Sequence, residues 1–332
     1  MRVTQNSIVE QYQFNLQRLQ EQITRTNLHL SSGKAFLSPS EAPLRAVDVK
    51  HVETRINQNR RFKTNIEKAI TELDIYEFAL ENFSTNLRKA RSIVETAVDP
   101  VNYDKPTVLG EQIRRILDDL LEIANYQHNG RFLFAGTRTT EDSITPTPPE
   151  ATKLPFELLQ DPAAVSADNP EGLRIAFKGN FQARSVLISA NIQERINTLA
   201  NDAFGTNGTK VFEILVEIYN VLTYKRDGTA RGERDFLDTT DARKLQALAD
   251  QLSDHLDQLH NEIGRVGGVR IRLETQLKQI TYENTRLNEL KSIRGDADVA
   301  QEAINLTRFQ TSLNYTLRIG ARLFQTTLFD FL

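Results

Sequence analysis

Apolar residues recur at helical heptad spacing near both ends of the chain. In the N-terminal segment they alternate at steps of four and three residues, with Thr26 filling the one missing step. The positions in this N-terminal stripe are Tyr12, Leu16, Leu19, Ile23 and Leu30. The C-terminal stripe keeps the same register at Val299, Ala303, Leu306, Leu313, Leu317, Phe324 and Phe331, with Gln310, Gly320 and Thr327 in its gaps. This spacing is typical of a helix that packs against a partner helix.

The obvious partner for each stripe is the other end of the same chain, so we expect the terminal segments to pair as a coiled coil. Ile319, Leu323, Leu328 and Leu332 lie off the C-terminal stripe, so pairing leaves apolar surface that neighbouring copies can bury. An ordinary intramolecular coiled coil without assembly is the alternative. The predicted assembly interface consists of Tyr12, Leu16, Leu19, Ile23, Leu30, Leu306, Leu313, Leu317, Leu323, Phe324, Leu328, Phe331 and Leu332.

Helical periodicity also dominates the interior of the chain. Ser7 and Glu10 match a capping box, which predicts that the first helix begins at Ser7 and ends near Leu30. The proline-containing turn at 38–43 precedes the next helix. The interior helices are predicted at about 44–98, 107–128, 212–222 and 239–292. Asp296 and Asp298 are predicted to cap the terminal helix.

A central segment differs from the helical pattern. Its prolines at 146, 148, 149, 155, 162 and 170 are incompatible with a long helix. Two runs, at 173–177 and 184–188, have the composition of strands in a small β unit. The predicted fold is therefore mainly α: an elongated rod of long helices and a terminal coiled coil with a small inserted β domain. The predicted domains are nested: 1–36 with 296–332 as the assembly domain, 37–137 with 206–295 as a helical rod, and 138–205 as the insertion.

Composition restricts the possible functions of the 332-residue chain. It carries 41 Lys and Arg against 44 Asp and Glu, a net charge of −3 without a dominant basic patch, which argues against nucleic-acid binding. The absence of cysteine excludes disulfides, thiol catalysis and thiolate metal sites. No apolar run approaches the length of a membrane span, so we expect no membrane insertion. The first residues lack an apolar signal-peptide region, so we expect no cleaved signal peptide.

The sequence offers no strong candidate for a metal-binding, nucleotide-binding or catalytic site. The five histidines are scattered, and His255 and His260 are five residues apart, so we expect solvated helix histidines and no metal site. The glycines at 264, 267 and 268 follow no strand and precede no phosphate-binding lysine, which excludes a nucleotide loop. No nucleophile is accompanied by a base and an orienting group. We therefore predict no catalytic residues, no cofactor and no enzyme activity; a hydrolase in the β insertion would need a convergent polar pocket.

Five short blocks, in order along the chain, resemble the flagellin superfamily and within it the hook–filament junction family. They include the Met-Arg-Val-Thr opening with residues 30–34 and the turn at 38–43, residues 130–137 (Gly-Arg-Phe-Leu-Phe-Ala-Gly-Thr), the region 177–205, residues 296–300 and residues 328–332. The resemblance covers the whole chain, most strongly before about 140 and after about 250. Ala42 and the C-terminal aromatic residues depart from the usual pattern of the family.

The resemblance implies a flagellin-like fold and a structural, self-polymerising subunit of the bacterial flagellum that adapts the hook to the filament. It also implies neighbouring hook-associated protein and flagellin as partners, and an export chaperone that holds the C-terminal region. The expected location is extracellular, after export through the flagellar type III apparatus. Flagellin itself is the alternative in the same superfamily, and a cytoplasmic coiled-coil adaptor is the alternative of a different class.

Overall fold

Long α-helices form most of the chain, as the sequence predicts. The computed structural model describes residues 2–99, 105–145, 152–232 and 235–329; at 2–6, 8 and 323–329 only the backbone is described. Within these ranges the helices are α1 (Arg2–Ser32), α2 (Pro43–Val98), α3 (Pro106–Ala124), α4 (Ala200–Phe204), α5 (Lys210–Thr223), α6 (Thr239–Gly295) and α7 (Val299–Phe329). Among the described residues, no helix is both long and apolar enough to cross a membrane.

The chain divides into two compact units. The first consists of Met1–Arg61 and Ile280–Leu332, and the second of Phe62–Gln279. Because the boundaries between the units fall inside α2 and α6, each of these helices contributes a segment to both units. The predicted nested division into three domains stays a prediction.

In the first unit, α1 and α7 pack together and segments of α2 and α6 complete the unit. Ion pairs connect the α2 and α6 segments: Arg55 Nε lies 2.9 Å from a Glu283 carboxylate oxygen, and Lys291 Nζ lies 3.0 Å from Glu53. These pairings show that α2 and α6 run antiparallel here. The arrangement brings the turn after α1 close to the turn before α7.

All strands described by the structure lie in the second unit, in three two-stranded antiparallel sheets. The strands are β1 (Gln127–His128), β2 (Arg131–Phe132), β3 (Phe156–Gln160), β4 (Leu173–Phe177), β5 (Ser185–Ser189) and β6 (Ile192–Arg195). The strands predicted at 173–177 and 184–188 are confirmed as β4 and β5. Each pairs with a strand that the sequence did not reveal, β4 with β3 and β5 with β6.

Two predicted helix boundaries are wrong. Helix α1 begins at Arg2, so Ser7 lies inside the helix and does not cap it. Helix α3 ends at Ala124, because Asn129 and Gly130 adopt φ values of 50° and 71° and form the turn of the β1–β2 hairpin. An Asn-Gly pair favours this left-handed turn over continuation of the helix.

Phe204 lies at the centre of an aromatic core in the second unit. Its ring centroid is 4.8 Å from that of Phe83, 4.9 Å from Phe134 and 5.2 Å from Phe156. Phe134 belongs to the glycine-flanked block at 130–137, which therefore anchors the β1–β2 hairpin to the core. Burial of such rings is the largest stabilising contribution that single side chains make to a core.

Candidate assembly surface

Helices α1 and α7 pack against each other, as the heptad stripes predict, and the pair is antiparallel. Near one end of the pair, the Tyr12 ring lies on the backbone of Gly320. Near the other end, His29 of α1 lies 3.9 Å from the carboxylate of Glu302 of α7. The N-terminal stripe faces this contact, since each of its five apolar residues is half-buried; they are Tyr12, Leu16, Leu19, Ile23 and Leu30.

The C-terminal stripe matches the contact only in part. Leu306 and Leu313 are half-buried, but Leu317 is 47% exposed and Val299 is 58% exposed. The contact is instead centred on α7 positions that share one face at 100° per residue: Glu302, Phe309, Thr316 and Gly320. Leu317 and Val299 lie about 60° from the centre of this face. Leu317 is therefore a surface residue in the paired chain, contrary to its predicted place in the helix–helix contact.

Gly320 occupies a gap in the apolar stripe of the sequence, and the structure shows its role. A Cβ atom at position 320 would lie 2.3 Å from the Tyr12 hydroxyl and 2.5 Å from the Tyr12 Cζ. Because Gly320 has no side chain, the Tyr12 ring occupies the space that a Cβ atom would otherwise fill. A search limited to apolar residues at heptad spacing cannot recognise a glycine as a contact position.

Several predicted interface residues lie beyond what the structure describes. Leu323, Phe324 and Leu328 belong to α7, but their side chains are not described, and Phe331 and Leu332 fall outside the described residues. For these five positions the predicted role in assembly stays a prediction. Ile319, predicted to lie off the stripe, is 57% exposed.

The turns that follow α1 and precede α7 are joined by backbone hydrogen bonds. The Ala35 N–H donates to the Gly295 carbonyl at 2.9 Å, and the Ala297 N–H donates to the Gly33 carbonyl at 2.9 Å. Gly33 has a φ of 68°, a conformation that glycine adopts without strain. Asp298 caps α7 by accepting from the Gln301 N–H at 3.1 Å, whereas Asp296 lies in the joined turns. The helix pair is therefore fixed at this end by the chain itself.

The prediction that the histidines are solvated is wrong for two of them. His29 is only 8% exposed and lies between the carboxylates of Glu302 and Glu41, with 3.8 Å separating its Nε2 from Glu41. His255 is 6% exposed in the second unit, where burial lowers its pKa. Both residues occupy helix positions that face a neighbouring element, and periodicity of apolar residues alone does not identify such positions.

Glu41 is held by the turn that follows α1. Its carboxylate accepts the Leu37 N–H at 2.8 Å, and this hydrogen bond is the main cause of a pKa below the ordinary value; Arg25 and His29 contribute in the same direction. An ionised Glu41 therefore faces His29 and connects the turn to α1. Among the residues that the structure describes, no group of His, Asp and Glu has the arrangement of a metal site.

Apolar side chains remain exposed on both helices of the pair. On α1, Phe14 is 65% exposed; on α7, Ile304 and Tyr315 are each 62% exposed. At 100° per residue, Ile304 and Tyr315 lie on the face of α7 that points away from the contact with α1. An open groove of about 570 Å³ between α1 and α7 adds further apolar surface, including Leu19 and Ile319. The paired helices thus retain extensive unburied apolar surface after their mutual contact is made.

Comparison with known proteins finds similar sequences and structures among flagellar proteins. Residues 3–139 match the bacterial flagellin N-terminal helical region. Flagellar hook-associated protein 3 of Escherichia coli (strain K12) is 22% identical over 351 aligned positions, which cover 98% of this chain and 99% of that protein.

Two solved structures share the fold. A putative flagellar hook-associated protein from Vibrio parahaemolyticus superposes with a TM-score of 0.59 at 16% identity, over 77% of this chain and 99% of that one. FlgL from Xanthomonas campestris superposes with a TM-score of 0.54 at 10% identity, over 72% of this chain and 99% of that one. The long helices are thus part of a fold that this chain shares with flagellar hook-associated proteins of known structure. The chain is therefore similar to flagellar hook-associated protein 3 over nearly its full length, and its N-terminal part is similar to the helical region of flagellin.

Proposed function

We propose that this chain is a structural subunit of the bacterial flagellum that self-assembles at the hook–filament junction and adapts the hook to the filament. The end-to-end alignment with a hook-associated protein supports this function over that of the filament subunit. The observation that carries the proposal is the apolar surface that stays exposed on the paired terminal helices.

The exposed surface represents a substantial driving force for assembly. Ile304, Tyr315, Leu317 and Ile319 are 47–62% exposed on α7 alone. Full burial of a large apolar side chain contributes about 1.5–3 kcal/mol, so burying the exposed parts of these four contributes several kcal/mol per subunit. Neighbouring copies present the same surface, and a contact repeated by a rotation generates a ring or a helical array.

The proposed partners follow from this position in the flagellum. Neighbouring hook-associated protein lies on one side of the junction and flagellin on the other. A flagellar export chaperone covers the C-terminal region before assembly, since the exposed apolar residues of α7 are otherwise open to premature association. The subunit leaves the cell through the flagellar type III apparatus and acts outside the cell.

Flagellin itself is the second candidate, because the match at 3–139 is to a flagellin region. A deletion of the gene in the source bacterium, examined by electron microscopy, separates the two functions. Loss of the junction subunit leaves hooks without filaments and releases filament protein into the medium. Loss of the filament subunit leaves hooks without filaments and no filament protein in the medium.

The location has its own test. Flagella sheared from wild-type cells are expected to contain this chain in far smaller amount than the filament subunit, as a junction of few subunits requires. Detection of the chain only in the cytoplasmic fraction would instead indicate the coiled-coil adaptor and contradict the proposal.

A further inference from the structure

A cavity of about 460 Å³ lies in the second unit. One wall is formed by α2, with Lys68 and Glu72, and the opposite wall by the β1–β2 hairpin, with Arg131. Arg184, which precedes β5, also lines the cavity, as do the buried side chains of Phe132 and Leu133. Its volume is within the range of small-molecule binding sites, about 300–1,000 Å³.

Positive charge predominates in this cavity. Its lining includes the side chains of Lys68, Arg131 and Arg184 and a single carboxylate, that of Glu72. The carboxylate is already engaged, because Glu72 accepts a hydrogen bond from Arg184 Nη2. Among the residues that the structure describes, neither Lys68 nor Arg131 has an ion-pair partner. Two cationic groups are therefore available to a ligand.

Arg184 adds an unused donor. Its guanidinium is held in place by Glu72 and by the Tyr76 hydroxyl, which lies 3.2 Å from Nη2. The Tyr76 hydroxyl in turn donates to the Leu133 carbonyl at 2.6 Å. The Arg184 Nε is buried and has no hydrogen-bond partner among the described residues. A buried donor without an acceptor costs free energy, and this donor belongs to a side chain that lines the cavity.

We propose that this cavity binds a small ligand with two or more oxyanion groups, recognised by Lys68, Arg131 and the fixed guanidinium of Arg184. Carboxylate and phosphate groups share the required chemistry, since each accepts charge-assisted hydrogen bonds from lysine and arginine. The hairpin turn at Asn129 and Gly130 positions Arg131 on the rim. This inference does not depend on the proposed junction function, because none of these residues belongs to the terminal helices.

The proposal is tested by isothermal titration calorimetry of the full chain with citrate and with inorganic pyrophosphate, at constant ionic strength. We expect saturable binding of at least one anion by the wild-type chain. Binding of citrate alone identifies a carboxylate ligand, and binding of pyrophosphate alone identifies a phosphate ligand. The variant Lys68→Gln/Arg131→Gln is expected to bind at least about tenfold more weakly, since it removes two charge-assisted hydrogen bonds to the anion.

A charge-matched control separates a built site from general electrostatic attraction. Lys89→Gln/Arg115→Gln removes the same charge from exposed positions on α2 and α3, outside the cavity. It is expected to bind as the wild type does. Absence of binding at millimolar anion, or equal weakening in the control variant, would overturn the proposal. Lys68 and Arg131 are exposed, so their replacement is compatible with folding, which circular dichroism checks.

Discussion

The ammonium group of Lys34 lies 2.7 Å from the carboxylate of Asp296, although 262 residues separate them in the chain. Their backbones also form an antiparallel bridge. The hydrogen bond from Lys34 is the main cause of the lowered pKa of Asp296, and the Ser292 hydroxyl acts in the same direction. This contact joins the turn after α1 to the turn before α7 and sets where the terminal helix pair begins.

Replacing Lys34 by Gln is expected to destabilise the first unit only slightly. The two side chains are 51% and 41% exposed, so solvent screening limits the ion pair to below about 1 kcal/mol. The loss should be largest at low salt and disappear near 1 M salt. Urea unfolding at both salt concentrations measures it. Arg45→Gln, which removes an exposed charge from the same unit, serves as the control and should show no such salt-dependent difference.

A Gly320→Ala substitution should displace the Tyr12 ring. In an exposed helix interior, the same substitution normally stabilises by about 0.5–1 kcal/mol. At position 320 the new methyl group meets the ring, so we expect no gain or a net loss. A Cβ atom added at Gly264 of α6 would meet no neighbouring atom within 4 Å, so Gly264→Ala should show the ordinary gain. Thermal unfolding and the NMR shifts of the Tyr12 ring compare the two; an unshifted ring with a gain at 320 would contradict this account.

Leu317→Asp should abolish incorporation into the flagellum while the chain stays folded. Leu317 is 47% exposed, so a carboxylate there remains hydrated in the free chain but would be buried in an assembly contact. Complementation of the deletion strain, with electron microscopy and circular dichroism, measures both effects. Gln310→Asp adds the same charge at an exposed polar position of α7 that is not part of the predicted assembly interface, and it should retain function. Normal filaments with Leu317→Asp would remove this residue from the interface.

The pair formed by Lys178 and Glu157 is expected to be important for the stability of the second unit. Lys178 Nζ donates to a Glu157 carboxylate oxygen and, at 2.7 Å, to the Thr152 carbonyl; the two paired side chains are only 5% and 13% exposed. Lys178→Met leaves a buried carboxylate without its counter-charge, which should cost about 3–5 kcal/mol.

Chemical denaturation tests this pair. The double variant Lys178→Met/Glu157→Leu should recover most of the loss, because it removes the unpaired charge as well. Lys153→Met provides the control: its partner Asp142 is 3.4 Å away and almost fully exposed, so a change below about 1 kcal/mol is expected. A single variant at Lys178 as stable as this control would refute the assigned role.

His255 should make the second unit less stable in acid. Burial lowers the pKa of His255, and Lys210 adds to this effect, although a hydrogen bond with the Phe204 backbone opposes it. The unfolded chain therefore takes up a proton near the ordinary histidine pKa of about 6.5 that the native chain does not. The contribution of neutral His255 to the free energy of unfolding is fully present above this pH. It decreases as the pH falls below it, by up to about 1.4 kcal/mol per pH unit.

Denaturation at several pH values between about 7.5 and 5.5, the range in which an ordinary histidine titrates, measures how stability depends on pH. His255→Gln should flatten the slope, whatever its effect on absolute stability. His51→Gln, at an exposed position of α2, should leave the slope unchanged. Equal slopes in the wild type and in His255→Gln would show that His255 is not the responsible group.

Local patterns predicted the helices well. The helix α2 expected over 44–98 begins one residue earlier and ends at Val98, and the predicted helix at 239–292 is α6. Helical periodicity is a property of neighbouring residues, so it is readable without knowledge of the fold. The capping box at Ser7 was also a local pattern and was wrong, because the chain before it continues the helix.

The sequence by itself determined that the chain is mainly helical and that its two ends pair, because heptad spacing and turn residues act over a few positions. The tertiary structure decided which side of α7 meets α1, which strands pair with β4 and β5, and which histidines are buried. These features depend on atoms that are distant in the chain, such as the Tyr12 ring that fills the space left by Gly320. This fit arises only when the two helices pack together, so the spacing of apolar residues along the chain does not reveal it.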